Sequence, residues 1–129
     1  MKQILLGLIL LGAPATAQAG LCDGAQTQIE FNECTAQEAQ DADVALNEAY
    51  RAAMSALKDL DASVPMAERG AAAALLAAQR AWITVRDQTC IAQGFYFYGG
   101  TARQAGINGC LTLITQARTE DLWRLVQPG

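Results

Sequence analysis

The chain has no histidine, and its only serines are Ser55 and Ser63. The imidazole on which most nucleophilic and general-base sites depend is therefore missing, and neither serine sits in a nucleophile motif. No two cysteines have the C-x-x-C spacing, and the four present are widely separated. Zinc is held by clustered Cys and His, so no metal site is expected. Carboxylates do occur in close pairs, Asp41/Asp43 and Glu120/Asp121. On helices such pairs read as solvated faces rather than as acid–base machinery. Basic residues are in deficit, with 9 Lys and Arg against 13 Asp and Glu. An acidic chain is a poor ligand for nucleic acid. Together these absences describe a protein that is not an enzyme and uses no cofactor.

The N-terminus reads as an export signal. Lys2 is followed by an apolar run from Ile4 to Leu11 and then by Ala17-Gln18-Ala19, an A-x-A cleavage pattern. The run is too short to span a membrane. Cleavage near Ala19/Gly20 divides the chain into a signal peptide, 1–19, and one domain, 20–129. Leu21 stands where the residue before a lipid-modified cysteine is normally small, which argues against a lipoprotein. Without Lys2 the mature chain has 8 basic and 13 acidic residues, a formal charge of −5. The expected location is periplasmic or secreted.

All four cysteines, Cys22, Cys34, Cys90 and Cys110, fall in the mature part. An even count behind an export signal reads as two disulfides.

The segment Leu75–Cys90 organises the rest. It is rich in strong helix formers and contains neither Gly nor Pro. Leu75, Gln79, Trp82, Arg86 and Cys90 recur at helical spacing and share one stripe. A plain core stripe would carry only aliphatic side chains. This one predicts an arginine that is partly buried against acids of another helix and holds two segments together.

Upstream, Thr27-Gln-Ile-Glu30 and Thr35-Ala-Gln-Glu38 both fit the capping box. The first helix could start at either. Asp43, Leu46, Asn47, Tyr50, Met54 and Leu57 continue one stripe toward Leu60. Asp61-Ala-Ser-Val-Pro65 breaks it, and the next helix should be firm from Ala71 to about Ala92. Pro65 and Glu68 suit that helix's first turn.

The two helices form an antiparallel hairpin turning near residue 63, which predicts which positions face each other. Cys34 precedes that point by 29 residues and Cys90 follows it by 27, which pairs Cys34 with Cys90 and leaves Cys22 with Cys110. The same register sets Arg86 within reach of Glu38, Asp41 or Asp43. Asp43, Asn47, Gln79, Trp82, Arg86 and Arg118 are expected to form a structural polar network.

Gly94–Gly109 is the least regular stretch. It carries Phe95, Tyr96, Phe97 and Tyr98, half of the chain's aromatics, followed by the turn signal Gly99-Gly100. It reads as a loop with a short helical turn from Thr101 to Gln104. Asn108-Gly109 punctuates the start of a last helix, Cys110 to about Leu125, whose inward face is Leu111, Ile114, Arg118, Leu122 and Leu125. The expected fold is all-α: three to four helices built on a long antiparallel hairpin and cross-linked by two disulfides.

One order of residues carries a family resemblance. Cys22, Cys34, Ala42-Asp43, Leu46-Asn47 and Tyr50 are followed by Ala78-Gln-Arg-Ala-Trp-Ile83, Arg86-Asp87 and Cys90. Then come Gly99-Gly100-Thr101, Cys110, Thr115, Arg118-Thr119 and Leu122. This resembles the small exported domain named after the lysozyme inhibitor LprI, over essentially the whole mature chain. The resemblance implies a helical, disulfide-linked domain and a lysozyme as possible partner. The family's named member is a lipoprotein, whereas this chain lacks a good lipobox, with Leu21 before Cys22.

Two functions follow as expectations. The first is inhibition of a lysozyme-type muramidase, with Phe95, Tyr96, Phe97 and Tyr98 as the contact. The acidic charge favours encounter with a basic lysozyme. The second is an envelope module that binds a protein or a glycan on the same aromatics without inhibiting anything.

Overall fold

The computed structural model describes residues 22–126. The expected leader and its cleavage point lie outside the described residues. The elements are α1 (Gln28–Ser63), a 3-10 turn (Met66–Glu68), α2 (Ala71–Gly94), a second 3-10 turn (Phe95–Phe97) and α3 (Arg103–Val126). Among the described residues there is no strand, as the all-α reading requires. Nor is any helix among the described residues long and apolar enough to cross a membrane.

The first of the two capping boxes starts α1. The Thr27 side chain accepts from the Glu30 backbone N–H at 3.2 Å, and the Glu30 carboxylate accepts from the Thr27 and Gln26 N–H groups. Two of the N–H groups that a helix start leaves open are thereby satisfied. Thr35 lies inside the helix and bonds back to the Asn32 carbonyl instead. One uninterrupted helix of 36 residues results, about 54 Å long.

The linker to α2 is fixed by a residue that the sequence pattern did not single out. Asp61, in the last turn of α1, accepts from the N–H groups of Gly70, Ala71 and Ala72 at 2.9–3.0 Å. It acts as a cap supplied from the preceding helix. Pro65 and Glu68, expected in the first turn of α2, belong instead to the 3-10 turn and its N-terminal cap.

α1 and α2 run antiparallel, as the Arg86–Asp43 contact requires. α3 returns parallel to α1: Asn108 meets Asn32 and Thr35 at one end, and Leu122 packs with Ala49 and Ala53 further along. α3 is the closest neighbour of α1. The reason lies in alanine. Ala42, Leu46, Ala49 and Ala53 recur at helical spacing and are buried. Small side chains let two backbones approach closely, so this stripe rather than the larger one takes α3. Leu46, Ala49, Ala53, Leu75 and Leu122 form the core, with Tyr50, Met54, Leu57 and Trp82 packed around it. Leu122 is fully buried, and Leu122→Ala should cost about 2–5 kcal/mol.

Several expectations need correction. α3 begins at Arg103, not Cys110. Asn108 is therefore an internal, buried helical residue that donates to the Thr35 hydroxyl at 3.2 Å. Leu60 and Leu125 are exposed rather than inward; both line an open cavity near the ends of α1 and α3.

The disulfides are Cys22–Cys34 and Cys90–Cys110, not Cys34–Cys90 and Cys22–Cys110. A hairpin turning at residue 63 would set Cys34 level with Cys90, but the linker extends to Gly70 and shifts the register. With Arg86 opposite Asp43, Cys90 comes level with Ala39. That is roughly 7 Å along the axis from Cys34, beyond what a disulfide spans without backbone movement. Cys90 and Cys110 are nearly equidistant from the turn at Gly99-Gly100, which brings them level on α2 and α3. Each bridge closes a short loop, with separations of 12 and 20 residues, and restricts the unfolded chain by about 3 kcal/mol.

Candidate functional site

Two clusters of polar and aromatic side chains stand out. The first lies between the helices. Arg86 on α2 donates to Asp43 on α1 at 2.7 Å, to the Thr115 hydroxyl on α3 at 3.2 Å and to Asp87 at 2.9 Å. Its guanidinium carbon lies 5.1 Å from the centre of the Trp82 ring. Arg118 covers the same ring at 5.9 Å and donates to Gln79 at 3.0 Å. Two cations thus share one indole, each held by hydrogen bonds of its own, an arrangement favoured by the ring's negative face.

Five of the six expected network residues, Asp43, Gln79, Trp82, Arg86 and Arg118, come together here. Asn47 does not bond to them; it is exposed and lines a groove of about 320 Å³ between α1 and α2, beside Tyr50, Leu76 and Arg80. Of the three acids in reach of Arg86 on α1, Asp43 is the one that pairs. Thr115 and Asp87 complete the arginine's partners; Thr115 is buried at the helical interval from Leu111 and Leu122, the pattern by which it could have been found.

The second cluster is the turn between α2 and α3. The Cys90–Cys110 disulfide ties the two helices together behind it. Phe95–Phe97 winds as a single 3-10 turn, and Gly99 takes φ 79°, a left-handed conformation that glycine adopts without penalty. All four aromatics are exposed, Tyr96 at 89% and Tyr98 at 75%. They do not complete the core. Phe95 and Tyr98 stack with ring centres 6.1 Å apart and planes 12° from parallel. The Phe97 ring lies so close over Gly106 that a methyl group there would come within 2.8 Å of it. Arg103, the first residue of α3, sits against the stacked pair, 4.7 Å from Phe95 and 5.8 Å from Tyr98. The sequence reading overlooked Arg103. The signal available was charge: between Gln88 and Thr119 the chain holds no acid, and Arg103 is the cation nearest the aromatics. A shallow cavity of about 500 Å³ opens beside Phe95 and Tyr96, floored by Thr89, Ala92 and Gln93.

Cys22, Cys34 and Glu38 lie close enough to suggest a metal cluster. The two sulfurs are bonded to each other, so no thiolate is available as a ligand.

A family described as "Lysozyme inhibitor LprI" matches residues 22–122. The chain belongs to the LprI family. The match spans both disulfides, the interhelical arginine network and the aromatic turn, which are therefore all parts of one LprI domain. A protein of Rhizobium meliloti (strain 1021), "Uncharacterized protein R02472", is 37% identical over 125 residues, covering 93% of this chain and 90% of that protein. No solved structure matches.

Proposed function

We propose that this LprI-family protein is exported, is not an enzyme, and binds and inhibits a lysozyme-type muramidase through its aromatic turn. The functional domain is residues 20–129, released by cleavage near Ala19/Gly20 into the periplasm or beyond. Family membership supports the inhibitor class, and two disulfides fit an oxidising compartment.

The observation that carries the site is the aromatic turn itself. Muramidases cut a glycosidic bond in a cleft between two carboxyl groups, and a protruding wedge suffices to occlude it. Phe95, Tyr96, Phe97 and Tyr98 project at one end of the bundle, exposed to solvent. The disulfide behind the turn limits the freedom that would be lost on binding. Tyrosine is a favoured interface anchor, presenting a large surface with few rotamers. The helix stripes, by contrast, are occupied in packing. The Arg86 network serves as scaffold in this reading, because Arg86, Asp43, Gln79 and Arg118 already pair within the molecule.

The test is a lysozyme assay with the mature, oxidised protein and with a Tyr96→Ala/Tyr98→Ala double variant. The parent should inhibit. The variant, with helicity and melting unchanged, should lose at least about 10-fold in inhibition. A folded double variant as potent as the parent removes these tyrosines from the contact. A parent that binds lysozyme or a glycan without slowing the enzyme favours the non-inhibitory binding module.

A further inference from the structure

Three arginines of this protein lie over aromatic rings, and the molecule treats one of them differently. Arg118 donates to Gln79 beside Trp82. Arg86 is paired with two carboxylates and a hydroxyl. Arg103 has no such partners. Among the described residues no carboxylate lies within ion-pair distance of it. Its Nε–H is buried and donates to no partner among the described residues. That nitrogen is packed over Gly94, where even a methyl group would stand only 3.6 Å from it. What holds the guanidinium is the Phe95 ring at 4.7 Å and the Tyr98 ring at 5.8 Å.

An arginine kept for structure acquires acceptors, because an unpaired donor out of water costs free energy. From α1, Asn32 reaches across to donate to the Thr101 carbonyl, just ahead of α3. Glu30 is spent on its own helix cap. The guanidinium of Arg103 thus remains uncompensated at the base of an exposed aromatic turn. It is held against two rings, so less rotamer freedom remains to be lost when an acceptor arrives. The chemical match for that fork is a carboxylate, which it can grip with two parallel hydrogen bonds.

Resting on the inhibitor reading above, we infer that Arg103 is the specificity-determining residue of the turn and pairs with a carboxyl group in the muramidase cleft. This also accounts for inhibition, as distinct from mere attachment. One cleft carboxyl must carry a proton to give to the leaving sugar oxygen. A guanidinium beside a carboxyl favours its ionised form and lowers its pKa. The general acid would then be held without its proton while the aromatics exclude the sugar. The protein's acidic body and this cationic tip have separate tasks: the net negative charge, 9 basic against 13 acidic residues, attracts a basic enzyme at long range, and Arg103 selects the acidic spot within it.

The experiment is a two-sided exchange using the mature, disulfide-bonded protein. Arg103→Gln and Arg103→Lys are compared with the parent for inhibition of lysozyme and for affinity. The parent is also tested for binding to a lysozyme whose two cleft carboxyl groups are replaced by amides. Arg103→Gln should bind and inhibit about 30-fold more weakly than the parent, and Arg103→Lys should recover part of that loss. The amide lysozyme should bind the parent more weakly to a similar degree, and should not discriminate between the parent and Arg103→Gln. An Arg103→Gln variant as potent as the parent overturns the inference and leaves the inhibitor reading intact. So does a parent that binds the amide lysozyme as tightly as the natural one. That second arm needs no variant of this protein, so it decides the matter even if Arg103→Gln melts early. A parent that neither binds nor inhibits lysozyme overturns the inhibitor reading and this inference with it.

Discussion

Arg86 donates to Asp43 at 2.7 Å across the α1–α2 interface, and the same nitrogen also reaches Thr115 on α3. One side chain is therefore bonded to both other helices. Its own side chain is only 12% exposed, whereas that of Asp43 is 51% exposed. The contact lies at the edge of the core, so solvent screens the acid more than the arginine.

Arg86→Ala should therefore lower stability by about 1–3 kcal/mol, less than the loss of a fully buried pair because Asp43 can be rehydrated. Urea unfolding of Arg86→Ala, Asp43→Ala and the double variant would measure the coupling between them. Unchanged stability together with lost lysozyme binding would move Arg86 from the scaffold to the contact surface.

The disulfide connectivity can be checked directly. Peptide mapping without reduction should yield Cys22 joined to Cys34 and Cys90 joined to Cys110, with no free thiol. A Cys90→Ser/Cys110→Ser variant should lose about 3 kcal/mol in the chain-entropy account. It should also inhibit less well, because the turn would have more freedom to lose on binding.

Asp61 links stability to pH. Three backbone hydrogen bonds, from Gly70, Ala72 and Ala71, hold its carboxyl below the ordinary value of 3.8, with Arg69 assisting. The unfolded chain therefore takes up this proton at a higher pH than the folded one. The resulting stabilisation is fully present above about pH 4 and is lost as the pH falls through the depressed folded value. Asp61→Asn should lower the melting temperature at neutral pH, and the difference from the parent should shrink as the medium is acidified below pH 4. A difference that stays constant down to pH 2 would show that the carboxylate's charge is not what caps α2.

Gly106 sets the position of Phe97. An added methyl group would come within 2.8 Å of the ring, so Gly106→Ala must turn Phe97 aside. The turn is exposed and can yield, while alanine favours the helix by about 1 kcal/mol. Melting should therefore change by no more than about 5 °C, while inhibition falls. Retained potency in a Gly106→Ala variant would show that Phe97 contributes nothing to the contact.

Much of this molecule was legible in its residues. The capping box Thr27–Glu30, the helical stripe through Leu75 and Cys90 and the break after Leu60 depend on local backbone preferences, which act whatever the rest of the chain does. The register of an antiparallel hairpin was close enough to bring Arg86 to Asp43. The aromatic turn was located because four rings followed by Gly99-Gly100 suit no regular element. Three-dimensional packing decided the rest. Cysteine pairing depends on a few ångströms of register, and the 64–70 linker altered it. The start of α3 at Arg103 was hidden by Asn108-Gly109, which reads as a helix boundary, while Gly106 inside the helix leaves the room that the Phe97 ring occupies. Asp61 could not be read as a cap because its partners are nine to eleven residues away. Residue order determined the helices, the bridges' existence and the family. Only the tertiary structure decided which cysteines meet, which arginine is satisfied and which is left open, because those outcomes depend on distances between segments that no local preference encodes.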